Sequence, residues 1–210
     1  MFAASTYEEI EEREREVENQ EIVVLLFARA SEDDILKEFE YIHYNSAEYC
    51  SIYAIGYTDD SSKANDHTYK KVDVSISGDW FFSMKAFTEF KNKLEQRLKW
   101  RYSGETEILI LQNNPGNNNS LCFSNYVCID VNKGIREGYI DSFQRFIESL
   151  IRTSKSKVTS KEAIKDIRKS RISIRDSIVE SIDECKKIPK AGKKIIKDRL
   201  FYHCTGYTPD

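Results

Sequence analysis

Residues 22–27, Ile-Val-Val-Leu-Leu-Phe, form an unbroken apolar run rich in branched side chains. Such a run, too short for a buried helix and bounded by polar segments, predicts a central strand covered on both faces. After the turn Ala28-Arg29-Ala30-Ser31, apolar positions recur at Ile35, Leu36, Phe39 and Ile42. That spacing predicts a helix over 32–45, with Ser31 as its cap and Asp33 and Asp34 at its positive end. Residues 50–57 read as a second strand, and 58–70 as a polar, turn-rich loop. In 71–78, Val72, Val74 and Ile76 alternate with polar residues, which predicts a half-exposed strand nearer a sheet edge. Phe87, Phe90, Leu94 and Leu98 then mark a helix over 83–101, capped by Ser83 and stopped by Gly104.

Strands at 106–112 and 122–131 flank a short Asn-rich loop and should pair as an antiparallel hairpin. A helix over 135–152 follows, presenting Ile135, Tyr139, Phe143, Phe146, Ile147 and Leu150. In front of everything, 6–19 reads as a thinly striped helix, with Ser5 or Thr6 and Glu8 or Glu9 forming a capping box.

The order of elements predicts an α/β fold, with a mixed, mostly parallel sheet of about five strands and helices on its faces. With 71–78 set aside as an insertion, the order β-α-β-α-β-β-α resembles that of thioredoxin-like domains. The redox CxxC of that class would follow the first strand, where this chain reads Ala28-Arg29-Ala30-Ser31. The resemblance therefore implies a topology and no redox chemistry.

Charge divides the chain further. Residues 1–21 hold eight acids and two arginines, whereas 152–204 hold sixteen Lys/Arg and seven acids. Such segregation suggests ends that meet different surfaces or each other. The expected organisation is an acidic N-terminal helix (1–21), an α/β domain (22–152) and a basic helical C-terminal extension (153–210). Within the extension Ile164, Ile167, Ile174, Ile178 and Ile182 fall on one narrow stripe, and residues 190–203 read as a last short helix.

Nothing in the chain is long and apolar enough to span a membrane. The acidic N-terminus is unlike a secretory leader. Five cysteines, none spaced as CxxC, read as free thiols of a cytoplasmic protein rather than a disulfide framework or a metal site. The expectation is no cofactor and no metal.

Candidate chemistry is sparse. Asp73, Asp79, Glu105, Glu107 and Asp130 sit on or beside expected strands, as the metal-binding acids of a nuclease would, but without a compact acid-x-Lys signature. His43, His67 and His203 are scattered, and no glycine-rich phosphate loop is present. Asp79, Trp80, Trp100, Tyr102 and Glu105 flank the main helix and form a candidate pocket, against the ordinary role of large aromatics in sealing a core.

Lys165, Arg168, Lys169, Arg171 and Arg175 are the candidates for phosphate contact, although interspersed acids equally suit a solvated helix face. The leading reading is a non-enzymatic protein-interaction module, a subunit of a multi-component prokaryotic assembly, with a protein partner or a second copy docked on the isoleucine stripe. The alternative is a nucleic-acid-binding protein or a divergent metal-dependent nuclease.

Overall fold

The apolar run becomes strand β2 (Ile22–Phe27), and from Val23 onward no side chain in it is exposed. In the computed structural model of the chain, which describes residues 1–17, 22–46, 50–98, 100–114, 119–138, 140–158 and 201–205, β2 lies inside a six-stranded sheet. The other strands are β1 (Phe2–Ala4), β3 (Cys50–Ile55), β7 (Glu107–Asn113), β8 (Leu121–Asp130) and β9 (Phe201–Thr205), in the order β1-β3-β2-β7-β8-β9. Val24 stands opposite Ile52 on one side and Ile110 on the other, and none of the three is exposed. The expected central burial is thus observed over 23–28 and 106–111.

The sheet is mixed but not mostly parallel. β1, β3 and β2 run parallel, whereas β2/β7, β7/β8 and β8/β9 are antiparallel. Apolar runs report burial on both faces and not strand direction, so the pattern could not distinguish the two.

The expected strand 50–57 breaks at Gly56, whose φ of 86° few side chains tolerate. Its N–H donates to Ala4 and its carbonyl accepts from Ser83, and the chain leaves the main sheet there. It enters a second, three-stranded sheet made of β4 (Tyr57–Thr58), β5 (Lys70–Val72) and β6 (Trp80–Phe82). The segment 71–78 is therefore not an edge strand of the main sheet. Only its first two residues are in a strand, and β6 pairs with β4 on one side and β5 on the other.

Helix α1 (Tyr7–Glu16) has a full capping box between Thr6 and Glu9 and buries Tyr7, Ile10 and Glu14. It packs beside α4 (Met84–Arg97), with the Tyr7 and Phe90 rings 6.0 Å apart. Ser83 caps α4 as expected, but the helix stops at Arg97, well before Gly104.

Two expected helices are each divided. Residues 32–45 form α2 (Asp33–Leu36) and α3 (Phe39–Ser46), and the side chain of Ser31 does not cap α2. Residues 135–152 are split between α5 (Val131–Arg136), capped by Asp130, and α6 (Phe143–Val158). α6 packs against α3. Gly138, with φ 74°, turns the chain between α5 and α6, and Ile135 stays 37% exposed instead of joining the core. Tyr139 and the stretch 159–200 lie outside the described residues. Residues 201–203, assigned to a closing helix from sequence, are in β9 because the neighbouring edge of β8 offers a backbone ladder. Among the described residues no helix is long and apolar enough to cross a membrane.

Candidate binding cleft

At the end of β2 the chain turns through Arg29, whose carbonyl accepts from the Glu32 N–H at 3.0 Å. The Glu32 carboxylate bends back onto the same turn. One oxygen accepts from the Arg29 N–H at 3.1 Å, and the other accepts from the Thr106 hydroxyl. Thr106 is fully buried, and its carbonyl accepts from Val131 N–H at the head of α5. One carboxylate thus joins the β2 exit to the start of β7, and Thr106 joins both to α5. Burial pushes the Glu32 pKa up, against the opposing influence of the Arg29 N–H and guanidinium.

Behind this tie lies a second carboxylate. Glu107, 3% exposed, accepts from Trp100 Nε1 at 2.7 Å, Ser103 N–H at 3.0 Å and Cys128 Sγ at 3.8 Å. Burial raises its pKa despite those donors. The Arg29 guanidinium lies 5.6 Å from the Tyr102 ring centroid, and burial raises the Tyr102 hydroxyl to about 12 while the arginine charge opposes the rise. Arg29 Nε and the Tyr102 hydroxyl are both buried without a well-formed hydrogen bond.

In front of the Glu32 tie opens a cleft of about 860 Å³. One wall is the segment from Ser31 to Glu38, and the other runs from Asn132 to Arg136 and from Asp141 to Gln144. The half-exposed Ile135 is its accessible apolar side chain, and Ile35 and Phe143 lie nearly buried in its lining. Its acids are Glu32, Asp33, Asp34, Glu38 and Asp141, and its cations Lys37 and Arg136. Lys37 pairs with Asp34 at 2.9 Å, and Arg136 pairs with Glu105 outside the cleft. Burial and the negative charge of Glu148 raise the Glu38 carboxyl.

The pocket expected from sequence is not assembled. Asp79 is exposed and pairs with Lys71 at 2.6 Å. Trp80 is buried against Phe39 and Tyr57, whereas Trp100 is buried against Phe27 and Tyr102. The rings of Phe82 and Phe87 link the two groups, so these tryptophans belong to a continuous aromatic core. Glu105 faces Arg136 at the surface.

The isoleucine stripe from Ile164 to Ile182 and the basic residues from Lys165 to Arg175 lie outside the described residues. Of the strand-end acids, Asp130 is committed to capping α5 and Glu107 to the buried donors. Among the described residues no three His, Cys, Asp or Glu side chains are placed to hold a metal ion. His43 Nδ1 sits 3.1 Å from the Met1 carbonyl. Cys50 and Cys128 are buried and Cys122 is half-buried.

Sequence reading missed the cleft because its walls come from segments about a hundred residues apart. The local signal, Asp33-Asp34, equally suits a helix start and carries no mark of a cleft wall. Compared with known protein families, with curated proteins and with solved structures, the chain shows no significant match.

Proposed function

We propose that the chain is a cytoplasmic protein-interaction domain with a thioredoxin-like topology, which binds a protein partner in the cleft between α2 and the α5–α6 corner. Support for the topology comes from the strand order β3-β2-β7-β8, with β3 and β2 parallel and the next two pairings antiparallel. Helices follow β2, precede β7 and follow β8, as that reading requires. Association within a larger assembly is the setting in which such a domain would act.

The observation that carries the binding reading is the cleft itself, with charged walls and with Ile135 left partly exposed in the last turn of α5, just before Gly138. In α/β sheets, ligands gather beyond the carboxyl ends of the parallel strands, where loops diverge and leave concave surface. The cleft begins just past β2, at that end of the sheet. Glu32 contributes rigidity there: both of its oxygens are held by protein donors, which ties its own wall to Thr106 and, through the Thr106 carbonyl, to Val131 at the head of α5.

The test is affinity isolation of the full chain from its native cells, comparing wild type, Ile135→Glu and the distant surface variant Tyr44→Glu. A protein recovered with wild type and Tyr44→Glu but lost with a folded Ile135→Glu is the expected result. Recovery of the same proteins with all three would overturn the cleft as the binding surface.

A further inference from the structure

The cleft has an imbalance of charge that an occupant would have to satisfy. Asp33 and Glu38 have no cation within ion-pair distance among the described residues, whereas both cations of the cleft are already engaged by Asp34 and Glu105. Glu38 lies near the negative Glu148, so its own neighbourhood repels its ionised form. An incoming cation would relieve that repulsion. The surface also continues: Asp33 and Lys37 line a second hollow, of about 400 Å³, together with Asp73 and Val74. Two hollows sharing one acid suit an extended chain better than a compact small molecule.

Resting on the cleft reading above, we infer that the occupant is an extended peptide segment of a partner, with an apolar anchor flanked by lysine or arginine. The anchor lies against Ile135, and the basic residues meet Asp33 and Glu38. Charges at a rim select the partner and speed its arrival more than they add affinity, so the anchor carries most of the binding.

A randomised peptide library displayed on phage, selected on the immobilised full chain, tests this. The expected outcome is enrichment of sequences with Lys or Arg around a bulky apolar residue, lost on a folded Ile135→Glu chain. Synthetic copies of an enriched peptide should bind Asp33→Asn/Glu38→Gln about tenfold more weakly, with much of that difference removed by high salt. Cleft-dependent enrichment of neutral or acidic peptides would overturn the basic partner and leave the cleft standing. Enrichment indifferent to Ile135→Glu, or none above uncoated support, would overturn both. If reversing Lys193 and Lys194 in the full chain sharply raises affinity for the enriched peptide, the occupant is the chain's own basic segment. An outside partner is then wrong. Self-association that disappears in Ile135→Glu would likewise name a second copy as the occupant and overturn the proposal.

Discussion

The Tyr53 hydroxyl donates to the Glu14 carboxylate at 2.6 Å, across the interior between α1 and β3. Asn113 at the end of β7 donates to the other carboxylate oxygen at 3.0 Å, and Glu14 has no exposed surface. A carboxylate this deep is tolerated because each oxygen meets a donor. It also explains how a helix with only Tyr7 and Ile10 as buried apolar residues is fixed to the sheet.

Glu14→Ala should therefore be costly. It leaves a hydroxyl and an amide buried without their acceptor, at about 1–3 kcal/mol for each orphaned group. A loss of roughly 2–5 kcal/mol in urea unfolding is expected, with Glu14→Gln losing less because its carbonyl still accepts from Tyr53. Equal stability of Glu14→Ala and wild type would show that the network contributes nothing.

Gly56→Ala should also destabilise the fold, for two separable reasons. The positive φ costs an L-residue about 1–2 kcal/mol, and the new Cβ would sit 2.7 Å from Phe87 Cβ. Gly78 has φ 93° but nothing within 4 Å, so Gly78→Ala carries the strain without the clash. The expected order of melting temperatures is wild type, then Gly78→Ala, then Gly56→Ala. Equal losses at the two glycines would remove the packing argument.

These positions show what the sequence could and could not yield. Val24 and Ile110 were identifiable as central because a strand buried on both faces has no polar position to hide. Ser83 was identifiable as a cap because capping is local chemistry. Strand β1, with three residues, is too short to show a period, and β6 reads Trp-Phe-Phe, which fits a core cluster as well as a strand. Glu14 looked like one more surface acid in an acidic helix, since its partners Tyr53 and Asn113 are distant in sequence. Glu32 was hidden in the same way, because Thr106 meets it only once β7 lies beside β2.

Stability should respond to pH through Glu107. Its pKa lies above the usual 4.5 because burial disfavours the charge. The folded chain thus holds that proton more tightly than the unfolded chain does. The resulting stabilisation is full below 4.5 and is lost as pH rises through the folded value. Glu107→Gln cannot ionise, so its stability relative to wild type should increase as pH is raised from about 4 towards neutrality. Lost hydrogen bonds to Trp100 and Ser103 shift the whole curve, so the slope of the difference is the readout. Urea midpoints measured across that range, with a flat or falling difference, would contradict the assignment.

The thiols provide the last expectation. Cys128 is 1% exposed, and its pKa is raised well above the ordinary value, first by burial and then by the negative charge of Glu107. Only the thiolate attacks an alkylating reagent, so Cys128 is doubly protected, by access and by protonation. Cys50 is fully buried, whereas Cys122 is half-buried. Under native conditions, of these three, iodoacetamide should therefore modify Cys122 first, and Cys50 and Cys128 only at the rate at which the sheet opens. In urea the three rates should converge. Among these three no pair is spaced as CxxC, so a thiol reductant should leave the unfolding curve unchanged. Mass mapping of the alkylated sites over time distinguishes the outcomes. Rapid native modification of Cys128 at neutral pH would mean that its thiol is neither buried nor held protonated, and the Glu107 network would have to be redrawn.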